Sequence, residues 1–443
     1  MIVVEGGNLF DGTGRVMKDS AVLIENGRFK KVCKKGEETY PKNADVINIE
    51  GKTVLPGLMD MHVHSTWIKQ VLGLFLTCGV TTIRDLGSPL DEILGLRDRI
   101  ARGDEVGPRI FASGPLIDGP GTTYSFADVV ESEEGAKQEI KKLRDSGVDL
   151  VKLYYRLTPK VLKALIDAAH EVGFLTAGHL LVTRPEDAIK LGIDCLEHIT
   201  TLIDDSYLTE EDLNKINEVF GPMAFSRSQH LFTQTVRTWS QVNLDSEKVR
   251  GLIDLMISSG VFFCPTFVNY RERLVRRSEP DPKSGYNVYY PDEVMRQMEE
   301  RSASVKDRLY KYWGGKDTEV APQVWRKMEE FVGRLKRGGG KVITGTDAGE
   351  PNVFPGFSLL EEIEQLVKCG FSTTEALMAS TKDSAVALGK ESDLGTVEAG
   401  KIADLVVVDG DPLKDIKEIK KKIEIVIKDE KLINREGLLK KYR

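Results

Sequence analysis

Short apolar runs alternate with amphipathic segments over most of this chain. Segments with helical periodicity, such as residues 132–146 and 159–172, separate these runs. Strands that alternate with helices are typical of a parallel α/β sheet, and eight such units predict a closed (β/α)₈ TIM barrel. The runs with the length and composition of buried strands are residues 53–64, 79–85, 108–114, 148–154, 174–179, 193–198, 261–266 and 341–347.

The two ends of the chain have a different pattern, in which short strands follow one another with turns between them. Asn26-Gly27 is a strong signal for a two-residue hairpin turn. Neither end is long enough to form a domain alone. We therefore expect residues 1–55 and 390–443 to pair into one small β-sandwich, with residues 56–389 inserted between them as the barrel.

The amino-acid composition limits the classes of molecule that we expect this protein to bind. The formal net charge is -7, which argues against nucleic acid or an anionic membrane as the main partner and favours a small-molecule substrate. The five cysteines are scattered, so a reducing compartment with buried thiols is the simplest account. The N-terminal residues lack the basic flank and apolar core of a signal peptide. We expect a cytoplasmic protein, and homo-oligomer formation is left open.

Candidate metal ligands lie at the ends of the predicted strands. His62 and His64 are two positions apart on one strand, so their side chains point to the same face. In a barrel the carboxyl ends of all strands meet at one mouth, and imidazoles with a carboxylate suit Zn²⁺ and similar first-row ions. The six residues that this places together are His62, His64, Lys152, His179, His198 and Asp347.

Lys152 is the exception in this set, because an ammonium group has no lone pair and repels a metal ion. It can serve as a ligand only if its amine is modified. Otherwise it must be neutral or turned away.

Three further residues are candidates for substrate contact. Tyr154 lies two positions after Lys152 on the same face, where a packing role is an equal alternative. Arg156 follows this strand and could pair with an anionic substrate. His230 lies in the first of two long inserts, residues 205–246 and 269–340, and could bind a substrate carbonyl or carboxylate. Both inserts are expected over the barrel mouth, unless they serve as an oligomer contact.

Several motifs follow one another along the chain and together span nearly all of it. They are LPGLMDMHVH at 55–64, GVTTIRD at 79–85, VK at 151–152, GH at 178–179, EH at 197–198, GTD at 345–347 and GTVEAGKIADL at 395–405. In this order they resemble the motifs of the metal-dependent amidohydrolase superfamily, in its imidazolonepropionase-like and prolidase-like branch.

The resemblance implies a site for two divalent metal ions, with Zn²⁺ as the first expectation and Mn²⁺, Fe²⁺ or Co²⁺ as alternatives. His62, His64 and Asp347 would hold the more buried ion, and His179 and His198 the more exposed one. Lys152, carboxylated by CO₂ to a carbamate, would bridge both ions. A metal-bound hydroxide would then attack the carbonyl of a C–N bond, and Asp347 would be the catalytic group that passes its proton to the leaving nitrogen.

The resemblance leaves the substrate open. A prolidase-like dipeptidase is the first hypothesis, and a small-molecule or cyclic amidase or a urea-type hydrolase is the second. Many prolidase-like members carry His-Gly after the last aspartate, whereas residues 350–357 here contain no histidine. Imidazolonepropionase itself uses one metal and lacks the bridging lysine. A one-metal deaminase or lyase and a non-catalytic ligand-binding barrel are the rival classes.

Overall fold

The computed structural model describes residues 1–221, 232–275, 285–309 and 312–443. Its strands are β1 Ile2–Phe10, β2 Val16–Glu25, β3 Arg28–Lys34, β4 Asp45–Asn48, β5 Thr53–Pro56, β6 Leu58–Val63, β7 Val80–Asp85, β8 Arg109–Ala112, β9 Leu116–Asp118, β10 Asp128–Val129, β11 Val151–Leu153, β12 Thr176–Gly178, β13 Cys195–Glu197, β14 Phe262–Cys264, β15 Lys341–Val342, β16 Leu405–Val408, β17 Ile423–Lys428 and β18 Lys431–Leu432.

Its α-helices connect and cover these strands. They are α1 Gly73–Thr77, α2 Leu90–Arg102, α3 Glu133–Ser146, α4 Pro159–Glu171, α5 Pro185–Lys190, α6 Glu210–Phe220, α7 Phe232–Gln241, α8 Glu247–Ser259, α9 Phe267–Leu274, α10 Asp292–Leu309, α11 Gly315–Arg337, α12 Phe357–Lys368, α13 Thr373–Ala379, α14 Lys382–Ala387, α15 Lys417–Lys422 and α16 Arg435–Lys441. Among the described residues, no helix is both long and apolar enough to cross a membrane.

The two ends of the chain share one mixed sheet. Its strands run in the order β18-β17-β16-β5-β1-β2-β3, and β4 also pairs with β1. Strand β5 lies between β1, to which it is parallel, and β16, to which it is antiparallel. The predicted hairpin is confirmed, because Glu25 pairs with Arg28 across Asn26-Gly27 and both turn residues have positive φ.

The middle of the chain forms parallel sheets, as the alternation of strands and helices predicts. One has the order β10-β9-β11-β12-β13-β14-β15 and the other β6-β7-β8. Helices such as α3 and α4 cover them with an apolar face: α4 buries Val161, Leu162, Leu165 and Ile166. Helix α3 begins after Ser132, whose side chain accepts from the Gly135 amide.

The strand boundaries differ from the sequence prediction in several places. The first predicted strand, residues 53–64, is divided into β5 and β6, which belong to different sheets. The third predicted strand, residues 108–114, is followed by an additional short strand, β9. The eighth, residues 341–347, is regular only over β15. Beyond it the backbone bonds to β6 instead: the Met61 amide donates to the Thr344 carbonyl, and the Asp347 amide donates to the His62 carbonyl.

The second long insert is largely helical where it is described. The sequence pattern predicts helices over residues 291–312 and 322–336, and α10 and α11 lie over the described part of both, although α11 begins at Gly315 and so contains Pro322. A proline inside a helix removes one backbone hydrogen bond. Burial of Val324, Met328 and Phe331 on the inner face of α11 stabilises the continuous helix.

The five cysteines, all of which lie in the described part of the chain, are buried free thiols, as predicted.

Candidate metal centre

The six predicted ligand residues line one cavity. His62 is on β6 and His64 follows that strand, while Lys152 is on β11. His179 and His198 directly follow β12 and β13, so each lies at the carboxyl end of a parallel strand. Asp347 lies in the irregular segment after β15. All six residues are at least nine-tenths buried.

The closest contacts in this cluster join Asp347 to the histidines of β6. Asp347 Oδ1 lies 3.1 Å from His64 Nε2 and 3.6 Å from His62 Nε2. One ligand atom from each of these three residues falls within 4.8 Å of the others. The His62 and His198 rings are 4.5 Å apart between centroids, and the His198 and His179 rings are 4.1 Å apart. The cluster is therefore continuous.

A buried ion pair orients His62. Its Nδ1 lies 2.7 Å from Glu197 Oε2, and the other oxygen of Glu197 accepts from Arg84 Nη2 at 2.6 Å. Arg84 is anchored in turn by a hydrogen bond from Nε to the Met61 carbonyl. With Nδ1 donating to the carboxylate, Nε2 keeps the lone pair that a metal ligand requires.

His64 and His198 are held in the same tautomer by other acceptors. His64 Nδ1 donates to the Gly87 carbonyl at 3.0 Å. The Thr266 hydroxyl donates its proton to the Pro265 carbonyl, so its oxygen accepts from His198 Nδ1 at 2.7 Å. Both Nε2 atoms then carry a lone pair. Histidines that bind metals are fixed in this way.

Burial sets the charge of these groups. It lowers the pKa of His62 to about 4, with Lys152 adding to the effect, and it lowers the pKa of His198 well below the usual value. Burial also lowers the pKa of Lys152. Burial alone would raise the pKa of Asp347, but His62 and His64 outweigh it and hold that pKa well below its usual range. Burial alone would lower the pKa of His64, but Asp347 outweighs it and raises that pKa above its usual value. A cation must therefore compete with a proton for Nε2 of His64, whereas His62 and His198 are already neutral.

Some buried polar atoms in the cluster have no hydrogen bond within the described part of the chain, among them Lys152 Nζ and Asp347 Oδ1. Burying a polar group without a partner costs about 1–3 kcal/mol, so each such atom calls for an explanation. A ligand in the cavity would supply the missing partner for both, and the donor set of imidazoles and carboxylate fits a divalent metal.

The backbone at this site is strained. His198, Thr266 and Asp347 all have positive φ, at 68°, 50° and 67°. Positive φ is unfavourable for residues with a Cβ, above all for β-branched threonine. Such strain persists where surrounding contacts hold it and is common at functional sites.

A second group in the interior, His62, Glu197 and Cys264, also has metal-compatible atoms close together. It is less suited to a metal, because both oxygens of Glu197 are already engaged by Arg84 and His62. Burial also raises the pKa of the Cys264 thiol, which keeps it protonated.

The predicted substrate residues have different surroundings. Tyr154 is buried, lines the cavity, and lies 5.2 Å from His179 between ring centroids. Arg156 is not among the described residues that line it; its Nη1 lies 3.3 Å from Asp118 Oδ2. His230 lies outside the described residues. The roles of all three stay predictions.

Several cavity residues were not anticipated from the sequence. Asn269, near the start of α9, donates from Nδ2 to Asp347 Oδ2 at 2.6 Å. Arg273 and Glu350 also line the cavity. Its position in the sequence could have indicated Asn269, because this residue closely follows the end of a predicted strand. Aromatic rings complete the wall: Trp67, Tyr124, Phe126, Tyr154, Tyr155 and Tyr270.

Comparison with known proteins identifies the class. The chain belongs to the amidohydrolase family, whose profile matches residues 53–433. That family comprises hydrolases that act on C–N bonds and depend on metal ions.

The curated sequence relatives align with only part of this chain. An uncharacterized protein of Mycobacterium bovis is 32% identical over 190 residues, which is 37% of this chain and 49% of that protein. This alignment thus spans about half the length of that curated relative.

Two solved structures share the fold over nearly the whole chain. A Xaa-Pro dipeptidase with bound methionine has a TM-score of 0.68 at 23% identity, covering 98% of this chain and 99% of that one. A bottromycin amidohydrolase has a TM-score of 0.72 at 21% identity, covering 99% and 90%.

Proposed function

We propose that this protein is a binuclear metal-dependent hydrolase of amide-type C–N bonds, with a prolidase-like dipeptidase as the first candidate. The observation that carries the proposal is the orientation of three imidazoles. His62, His64 and His198 each direct Nδ1 to a protein acceptor, which leaves Nε2 with a lone pair. A purely structural cluster of buried histidines has no need of three such matched tautomers.

The ligands are assigned as the resemblance implies. His62, His64 and Asp347 would hold one ion, and His179 and His198 would hold the other. Lys152 would be a ligand only with its amine carboxylated. The lowered pKa and buried, unpartnered Nζ of Lys152 support this, because only a neutral amine reacts with CO₂. Bound divalent ions would supply Lewis acidity, which polarises a carbonyl and lowers the pKa of water.

The remaining chemistry falls to residues of the chain. Asp347 takes the proton of the attacking water at Oδ1 and passes it to the leaving nitrogen, which departs poorly unless protonated. Asn269 holds the other oxygen of Asp347 and so keeps Oδ1 turned towards His64. The aromatic wall packs against apolar parts of the substrate and excludes water.

We further propose that the parallel strands close into a (β/α)₈ barrel, residues 56–389, beside a β-sandwich built from residues 1–55 and 390–443. The hydrogen bonds between β6 and residues 344–348 support closure, because they join the first barrel strand to the last. The buried thiols support a reducing compartment, and we propose the cytoplasm.

A small-molecule amidase is the second candidate. Residues 350–357, which follow Asp347, contain no histidine, whereas many prolidase-like members carry His-Gly in this segment. One structure with this fold is a bottromycin amidohydrolase, so the architecture is not restricted to dipeptides.

The test is a metal analysis followed by a substrate screen. Protein loaded with Zn²⁺ or Mn²⁺ should retain close to two ions per chain and hydrolyse members of a panel of dipeptides, N-acyl amino acids and aryl amides. A single retained ion would refute the binuclear site. No retained metal, together with no turnover, would favour the ligand-binding barrel.

A further inference from the structure

Helix α9 begins beside the metal cluster, and the residue before it does not cap it. Thr266 has a φ of 50° and a ψ of 46°, and within the described part of the chain its side chain makes no capping hydrogen bond to that helix. A threonine at this position ordinarily accepts from an amide two or three residues later. Here the hydroxyl donates to the Pro265 carbonyl and accepts from His198 Nδ1 at 2.7 Å. The Thr266 hydroxyl is therefore committed to His198 rather than to its own helix.

Glu362 supplies the missing cap from another helix. It lies on α12 and is fully buried. Its Oε1 accepts from the Phe267 amide at 2.9 Å, and its Oε2 accepts from the Val268 amide at 2.8 Å. The first amides of a helix have no partner within the helix, and a buried donor without an acceptor is unfavourable. Glu362 thus satisfies two of these donors, including the Val268 amide, which a capping threonine would otherwise bind.

Both protonation states of Glu362 can make these bonds. Burial raises its pKa to about 8, although the bonds from the two amides oppose this effect. Each oxygen carries a lone pair in the neutral acid as it does in the carboxylate. The NH₂ group of a glutamine has no acceptor lone pair, so Glu362→Gln removes one of the two acceptors with little change in shape.

We propose that Glu362 is a positioning residue for His198, because its cap on α9 leaves the Thr266 hydroxyl free to accept from His198 Nδ1. Without this cap, Thr266 can leave its positive φ, which is unfavourable for a β-branched residue, and bind the Val268 amide instead. His198 Nδ1 would then lose its acceptor. The tautomer with the proton on Nε2, which offers a metal ion no lone pair there, would gain population. The consequence for metal binding rests on the proposed function.

The Zn²⁺ affinity of the full-length chain, measured by competition with a chelating dye, tests this proposal. Thr266→Val removes the hydroxyl and should weaken Zn²⁺ binding about 10- to 100-fold. Glu362→Gln should weaken it by about three- to tenfold, because only one of the two amides loses its acceptor. In the double variant the glutamine should add less than about twofold, since the hydroxyl through which it acts is gone. Unchanged affinity in Glu362→Gln would overturn the proposal, and so would losses that simply multiply in the double variant.

The matched control is Asp317→Asn. Asp317 is also a buried carboxylate in the first turn of a helix, where it accepts from the Gly314 amide at 2.8 Å, and it is not among the described residues that line the cavity. This variant should lower the melting temperature, as Glu362→Gln does, and leave the Zn²⁺ affinity unchanged. An equal loss of Zn²⁺ affinity in both variants would show that Glu362 contributes only general stability, which would overturn the proposal.

A second measurement follows the tautomer of His198 directly. In protein labelled with ¹⁵N-histidine, protonated and unprotonated ring nitrogens give separate NMR signals, and His198→Gln identifies the signals of His198 among the six histidines. In the metal-free wild type the proton should lie on Nδ1. Glu362→Gln should move part of the population to Nε2, whereas Asp317→Asn should not. An unchanged tautomer in Glu362→Gln would overturn the proposal.

These measurements separate the positioning role from the proposed function. Coupling between Glu362 and Thr266 in a protein that hydrolyses no amide would retain the positioning role and refute the hydrolase assignment. Hydrolysis of amides, together with unchanged Zn²⁺ affinity in Glu362→Gln, would do the reverse.

Discussion

Glu197 provides the sharpest test of how the protein orients its candidate metal ligands. The change Glu197→Gln preserves the shape of the side chain but replaces one acceptor oxygen with an NH₂ group. Both oxygens are in use, one by Arg84 Nη2 at 2.6 Å and one by His62 Nδ1 at 2.7 Å. The NH₂ group of glutamine must therefore face either Arg84 Nη2 or His62 Nδ1, and both of these groups are donors.

The size of the effect follows from the burial of the three groups, each at most 1% exposed. Removing one charge of a buried ion pair costs about 3–5 kcal/mol. Glutamine keeps one of the two hydrogen bonds, and Arg84 keeps its bond to the Met61 carbonyl, so we expect a loss of about 2–3 kcal/mol in the free energy of unfolding. Loss of the acceptor for His62 should weaken metal binding about 10- to 100-fold.

Asp317→Asn is the control for general destabilisation. Asp317 is also buried and accepts two hydrogen bonds from Arg237, at 2.7 and 2.9 Å, but neither residue is among the described residues lining the cavity. Urea unfolding and metal titration against a chelating dye should show similar losses of stability in both variants, with weaker metal binding only in Glu197→Gln. Equal metal affinity in Glu197→Gln and wild type would refute the reasoning, as would an equal loss of metal affinity in both variants.

Three other predictions address separate parts of the molecule. Lys152→Ala should lose bridged metal and activity, and short carboxylic acids should restore part of both; full turnover without added acid would contradict the carbamate. Asp347→Asn should lower kcat by about 10²- to 10⁴-fold with an unchanged circular dichroism spectrum. A normal kcat would show that Asp347 does not transfer the proton. Burial and the neighbouring Asp128 raise the pKa of Glu139 from 4.5 to about 7, so the folded state binds its proton more tightly than the unfolded state. The free energy of unfolding of the wild type should therefore fall by about 1–2 kcal/mol relative to that of Glu139→Gln as pH rises from 4.5 to 7, after allowance for solvent screening. If the melting temperatures of the two proteins change in parallel across this range, the prediction is wrong. The control is the exposed residue change Glu131→Gln.

Local patterns account for what the sequence predicted correctly. Asn26-Gly27 specifies its turn by backbone preference, and His62 and His64 share a face because side chains alternate along a strand. The convergence of Lys152 and Asp347 on them required the parallel α/β arrangement, which the alternating pattern indicated.

Features that depend on tertiary contacts escaped prediction. The segment around Asp347 is apolar enough for a strand, yet its backbone bonds to β6 and turns through a positive φ. Glu197 and Arg84 are ordinary charged residues in sequence, and only their burial shows that they act together on His62. Nothing in composition distinguishes Arg273 from the other arginines of the chain, because its place in the cavity results from the path of the insert.

The position of β5 between β1 and β16 has a consequence for synthesis and folding. During translation β5 can pair with β1 at once, but its other edge gains a partner only after some 350 further residues have emerged. Contacts so distant in sequence form slowly, and an open strand edge attracts other chains. We therefore expect the last-made strands to act as a closure step, and nascent chains halted before β16 to aggregate more readily than complete ones.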